Sequence, residues 1–285
     1  MTVSKTKKTV RCTVRYVVLI VCSLILILPF LSLFTTSFKT FEDAVGNANS
    51  LIPKPFTLDN YVRSVTEQGY LRGLWNSVHI SVLTTIGTVF SASLVAYAFA
   101  RFEVREKEYI FSFLLMSVMI PGQVLQISMY ALYTRLGWID TFFPFWIPPF
   151  LGGGIMNVFL IRQFFRGIPK TLFEAAEIDG AGEWRNYWAL AMRMSVPILI
   201  TVGIFTFTGS WNDFMGPLLY LSGAPEKRPL ALVMYQMYDT VKIGDTKQWN
   251  IISAANVLTM LPLIIMYFCC QKYFIEGISV SGIKQ

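Results

Sequence analysis

The sequence predicts an all-α integral membrane protein with six transmembrane helices, and three observations carry that prediction. Only 14% of the 285 residues are charged and 54% are hydrophobic, whereas a soluble domain carries about 25% charged residues. Mean hydropathy is +0.52, and six long runs carry almost no charge. Lys and Arg are distributed unequally between the connections that join those runs. The same composition excludes disordered, collagenous and disulfide-stapled secreted classes.

A helix crosses a hydrocarbon core about 30 Å thick with roughly 20 residues, at about 1.5 Å each. The runs that satisfy this are about 16–38, 74–99, 109–131, 141–161, 195–220 and 249–271. The first reads as an uncleaved signal anchor, because its apolar run exceeds a signal-peptide core and no small-residue cleavage site follows. Sorting the connections by side puts 15 Lys and Arg on the face of the termini, including Lys5, Lys7, Lys8, Arg11 and Lys284, against 9 on the other. The positive-inside rule therefore places both termini in the cytoplasm. The net charge of +7 is then an orientation signal, and no nucleic-acid partner is implied. With no internal repeat and no soluble appendage, residues 1–285 read as one membrane domain.

Several chemistries lack their residues. His79 is the only histidine, so a zinc site of paired histidines is excluded and His79 reads as a helix-packing residue. Cys12, Cys22, Cys269 and Cys270 have no metal-ligand spacing and read as free thiols. No G-x-x-x-x-G-K-[ST] occurs, so the chain does not hydrolyse ATP itself. Gly152–Gly154 lies within a span, where small residues allow close helix approach.

The strongest local signal is the inner connection, 162–193. Thr171 and Glu174 make a T-x-x-E capping box that starts a helix, and Gly180 and Gly182 stop it about two turns later. Ala175 and Ala176 permit close approach to another protein. Glu174, Glu177 and Asp179 put three acidic groups on an otherwise basic face, which suits a basic groove better than the anionic cytoplasmic leaflet. From Glu183, with Trp184, Tyr187 and Trp188, a second amphipathic helix leads into the fifth span.

Glu174-Ala175-Ala176 followed by Gly180 resembles the EAA loop of binding-protein-dependent ABC importer permeases. The likeness continues in Arg162-Gln163-Phe164-Phe165, Ile168-Pro169, Ile178-Asp179-Gly180-Ala181, Trp211-Asn212-Asp213-Phe214, Pro217-Leu218, Met119-Ile120-Pro121, Gln271-Lys272-Tyr273-Phe274 and Gly277…Gly282. In order and extent these match the carbohydrate-type permeases, similar to the maltose permease. The resemblance implies a type I (MetI-like) importer fold in the bacterial inner membrane. It implies that Thr171, Glu174, Ala175, Ala176, Glu177, Asp179 and Gly180 form a coupling helix that docks on a separate ATPase. A rigid link from that helix to the fifth span would pass the motion to a gate. It further implies a second permease subunit, two ABC ATPases that use ATP and Mg, an extracytoplasmic solute-binding protein, and no cofactor on this chain. Two positions depart from the family pattern: Leu190, Met192 and Arg193 stand where Ile-x-Leu-Pro is usual, with a proline only at Pro197, and Ser128 replaces a proline.

Polar residues inside the spans are costly in lipid and are candidate pathway residues. Trp211, Asn212, Asp213, Gln126 and Asn157 are the main ones, with Gln123, Asn256, Trp146 and Phe150 nearby in the sequence pattern. Amide and carboxylate groups would meet sugar hydroxyls, and aromatic faces a sugar ring. The connection 222–247, with Tyr235, Tyr238 and Trp249, is the expected docking surface for the binding protein. Two rival classes fit less well. A secondary carrier predicts paired intramembrane carboxylates, and only Asp213 is present. An intramembrane hydrolase would need a serine working with His79, and no G-x-S-x-G precedes a helix.

Overall fold

The computed structural model describes residues 2–66 and 69–282, with side chains from residue 12 to 66 and 69 to 272. Lys284 and the side chains of Lys5, Lys7, Lys8, Arg11, Tyr273 and Phe274 lie outside the described residues. The chain is mostly helical and gathers into two compact units. Residues Met1–Tyr70 with Met234–Leu261 form the first, and Leu71–Val233 with Pro262–Gln285 the second.

In the first unit, α1 (Thr2–Thr36) contains the apolar span Cys12–Thr36, whose most apolar stretch has no residue buried within the described chain. Such an all-apolar surface is matched to lipid or to another apolar helix. Two short helices follow, α2 (Phe41–Gly46) and α3 (Asp59–Thr66). They are knotted by buried polar bonds. The Asn60 amide donates to the carbonyls of Ser37 at 2.9 Å and Lys39 at 2.7 Å, and Asn250 donates to the Asn60 oxygen at 2.7 Å. Buried amides need such partners. The Asp43 carboxylate accepts the Lys54 N–H at 2.9 Å and the Asn47 amide at 3.0 Å.

The second unit begins with α4 (Tyr70–Arg101), an unbroken apolar helix. The third run is not one straight span. It divides into α5 (Lys107–Met116), a 3₁₀ turn at Ser117–Met119, and α6 (Gly122–Arg135), with a 95° bend between the halves. Pro121 causes this, because it disfavours helix at the residue before it, and Ile120 is extended at φ −79°, ψ 117°. The fourth run is also interrupted. Here α7 (Phe143–Trp146) and a 3₁₀ turn at Pro148–Phe150 lead through Gly152–Gly154, all at positive φ, into α8 (Ile155–Arg166). Prolines remove donors and the glycines adopt backbone closed to other residues.

After α8 come α9 (Lys170–Ile178), α10 (Glu183–Arg185), a π-helical segment Asn186–Ala191, α11 (Met192–Met194) and α12 (Val196–Trp211). The link into the fifth span is not straight, since the helix bends by 78° at Ser195, just before Pro197. The fifth run breaks again at Asn212–Phe214 before α13 (Met215–Tyr220). Asp140 anchors the end of α13 by accepting the Gly223 N–H at 2.8 Å and donating its own N–H to Tyr220 at 2.8 Å. Then α14 (Leu230–Thr240), a hairpin of β1 (Lys242–Ile243) and β2 (Thr246–Lys247), and α15 (Trp249–Gly282) complete the chain. Among the described residues, four stretches are long and apolar enough to cross a membrane, or six if each bent pair is one span.

The core of the second unit sits where α4, α5, α8, α9 and the π-helical segment meet. Ala92, Ala96, Tyr97, Phe111, Ile161, Phe165, Phe173 and Tyr187 are all buried there. Small residues on α4 let Gly153 pack onto its backbone, as expected of the glycine triplet.

Candidate functional site

The helix α9 is built by proline at one end and glycine at the other. Pro169 precedes it with φ −58° and ψ 129°, and makes no side-chain cap. The capping box therefore does not form: Thr171 lies within the first turn, because the helix starts directly after the proline and Leu172 donates to the Pro169 carbonyl. At the other end, Ala181 donates to the Ala176 carbonyl at 2.8 Å and Gly180 to Glu177 at 3.0 Å. With Gly180 at φ +78°, this is a Schellman stop that turns the chain sharply.

One side of α9 faces the core. Phe173 is buried, and the Arg101 guanidinium lies 5.0 Å from its ring centre. Arg101 also pairs with Glu177 and lies 3.8 Å from Glu183, whose other oxygen accepts the Tyr97 hydroxyl at 2.5 Å. Glu177 is thus committed inside the chain, and only Glu174 and Asp179 of the three expected acidic groups remain free of an ion pair among the described residues. The outward side carries Leu172, Ala175 and Ile178, the last 87% exposed, with Trp184 65% exposed beyond the turn.

Three further ion pairs join the same two segments, one of them Arg166 with Glu108 at 4.0 Å. Arg162, nearly fully buried, donates to Glu108 at 2.5 Å and to the Phe99 carbonyl at 3.3 Å, and lies 4.1 Å over the Phe111 ring. Lys170 reaches Glu103 at 3.0 Å, and this lysine bond holds the Glu103 carboxyl below its ordinary range. A recess of about 300 Å³ lies between the segments, lined by Tyr97, Arg101, Lys107, Arg166 and Lys170 among others.

The candidate pathway residues are placed differently. Asn157 donates to the Gly153 carbonyl at 2.8 Å and Asn212 to Thr208 at 2.9 Å, each four residues back. Asp213 accepts the Gly216 N–H at 3.1 Å and so starts α13 after the break. Trp211 is buried and stacks on Phe207 with centres 5.6 Å apart, while Gln126 is half-buried on α6. Each bonded residue thus has its hydrogen bond within its own segment. His79 packs edge-on to Phe142, Trp146 and Trp75. Near the hairpin, the Lys247 ammonium sits 2.9 Å over the Tyr238 ring, and Tyr238 meets Trp249 edge-on at 5.7 Å.

The model of the family described as binding-protein-dependent transport system inner membrane component matches residues 10–280. The chain belongs to that family. Among its relatives, the arabinooligosaccharides transport system permease protein AraQ of Halalkalibacterium halodurans is 30% identical, covering 91% of this chain and 92% of its own. The trehalose/maltose transport system permease protein MalG of Thermococcus litoralis is 28% identical over 93% of this chain and 94% of its own. A solved bacterial ABC transporter involved in the import of the acidic polysaccharide alginate contains a chain with a TM-score of 0.81, 21% identity and coverage of 92% and 95%. That likeness shows the mostly helical fold, and the family makes the chain an inner-membrane permease.

For a permease, the 162–193 connection is an outward projection bolted to the end of α4. The ends of the bolts were visible in the sequence only as charges to be counted. Arg101, Glu103, Glu108 and Arg162 carry signs that complement across two connections assigned to one side, which is the signal that could have paired them. The exposure of Leu172 and Ile178 follows from helical spacing. Once Phe173 and Glu177, four apart, turn inward, these residues must turn out.

Proposed function

We propose that this permease is one subunit of an ATP-driven importer that takes a carbohydrate, an oligosaccharide or a related sugar or polyol phosphate, from an extracytoplasmic binding protein. Relatives named for arabino-oligosaccharides, starch degradation products and trehalose or maltose support the substrate class. The observation that carries the reading is the exposed, glycine-stopped helix α9, an acidic and apolar knob held rigidly by its inner face. With both termini in the cytoplasm, as the basic residues predict, α9 faces the compartment that holds ATP. Glu174, Ala175, Ala176, Ile178 and Asp179 would then enter a cleft on the ATPase, while Glu177 stays on Arg101 and Gly180 makes the turn.

A second permease subunit completes the translocation pathway, and two ATPases supply the work. The Trp211-Asn212-Asp213 break lies where backbone groups released from helix can line a cavity, and it is the proposed gate, with Gln126 and Asn157 along the route. The exposed aromatics around 235–249 are the proposed contact with the binding protein. Co-expression with the cognate second permease, ATPase and binding protein tests this. Recovery of an assembled complex whose ATP hydrolysis rises with sugar-loaded binding protein is expected. Uptake by the lone chain without ATP would overturn it.

A further inference from the structure

The connection from α9 to α12 has the marks of a hinge. It passes through the π-helical turn Asn186–Ala191 and the 78° bend at Ser195, and π-helical turns and kinks gather at functional positions. Asn186 is 1% exposed, yet neither atom of its amide has a partner among the described residues, and the buried Ser195 hydroxyl also lacks one. Buried polar groups left unpaired call for an explanation, and a second arrangement that pairs them is one. By contrast, the connection from α9 to α4 is heavily tied. Arg101, the last residue of α4, holds Glu177 on α9 and approaches Glu183 on α10, and its guanidinium covers Phe173. Tyr97, one turn earlier, fastens Glu183 a second time. Lys170 and Arg162 add pairs to Glu103 and Glu108.

We infer that Arg101 is a positioning residue that makes α9 and α4 one rigid body, so that motion of the coupling helix reaches the membrane through α4 while Ser195 hinges α12 against it. This rests on the proposed coupling role of α9. The two segments tied by Arg101 are far apart in sequence, and a guanidinium suits the task because its planar fork bonds Glu177 while its charge faces Glu183 at 3.8 Å and its plane covers the Phe173 ring. A lysine offers a point charge without that planar fork or its stacking face.

The test uses the assembled transporter in lipid nanodiscs, with Cys12, Cys22, Cys269 and Cys270 replaced by serine. Spin labels are placed at Arg185 with Ile86 of α4, or at Arg185 with Phe205 of α12. Distances are measured by double electron–electron resonance with and without ATP and vanadate. The expected result is a shift in the 185–205 distance and a constant 185–86 distance. In R101M the 185–86 distribution broadens and shifts with nucleotide, and the charge-exchanged R101E with E177R restores it. A 185–86 shift as large as the 185–205 shift in the parent overturns the inference alone, as does an R101M variant whose 185–86 distance stays constant. No nucleotide-dependent change at either pair overturns the coupling role of α9 itself.

Discussion

Gly153 lies directly on Ala92: a Cβ placed on Gly153 falls 2.6 Å from the Ala92 Cβ and 2.5 Å from the Thr88 carbonyl oxygen. The backbone of the interrupted fourth run and α4 therefore touch without side chains between them. Gly153→Ala must displace α4 backbone and also strain a residue at φ +65°. Overpacking of this kind costs about 1–3 kcal/mol. Gly152→Ala, with φ +109° and nothing within 4 Å of its added Cβ, carries only the backbone strain. Thermal unfolding in detergent should rank G153A below G152A, and equal midpoints would refute the packing argument.

Gly180 offers a purer case. Nothing lies within 4 Å of a Cβ built there, so only the φ of +78° resists substitution. Left-handed backbone costs an ordinary L-residue about 1–2 kcal/mol, and asparagine less, since its side chain bonds locally. Gly180→Val should therefore loosen the Schellman turn and abolish ATP-dependent uptake by the assembled importer, with the protein still inserted in the membrane. Gly180→Asn should retain a measurable part of that uptake. Full uptake by G180V would separate the turn from coupling.

Much of this molecule was readable from residue order, and what was not has definable causes. The apolar runs located the spans because lipid imposes a length, and Gly180 announced the end of α9 because few residues accept its backbone. The capping box misled, since Pro169 starts the helix before Thr171 can cap it. Pro121-Gly122 marked an interruption, but its angle of 95° is a three-dimensional property that residue order does not report. Polarity alone singled out Asp213 and Asn157 as candidate pathway residues. Their bonds to Gly216 and Gly153 depend on local helix breaks that hydropathy does not report. The complementary signs of Arg101 and Glu177 were visible in the sequence, but not which opposite charges would meet across 76 positions.

Arg162 and Glu108 form an unequal pair, with side chains 3% and 55% exposed. Removing the carboxylate leaves a buried guanidinium with only the Phe99 carbonyl and the Phe111 ring. Removing the arginine leaves a carboxylate already in solvent and 4.0 Å from Arg166. Breaking a fully buried pair costs about 3–5 kcal/mol, and solvent at Glu108 brings the expected loss for Glu108→Gln to the bottom of that range or below. Arg162→Met, which keeps the apolar stem over Phe111, should cost less. The ranking is checked by the fraction of each variant that stays monodisperse on heating. A more fragile R162M would show that the stem packing, rather than the charge, holds α8.

Asp43 ties the 40–56 segment through the Lys54 N–H and the Asn47 amide, with the Lys39 and Lys54 charges adding to them. These bonds lower its carboxyl from the ordinary value of 3.8. A lowered folded value means that the contribution is complete above pH 3.8 and disappears as pH falls through the lower folded value. The segment should resist pepsin at the upper end of that enzyme's working range and open only well below the ordinary carboxylate value. Asp43→Asn keeps the shape but cannot gain or lose that charge, and it exchanges a charged acceptor for a weaker neutral one. Its cleavage within 40–56 should be faster at the upper pH and nearly flat across the window where the parent changes. Parallel pH profiles for parent and D43N would assign the acid opening to another group.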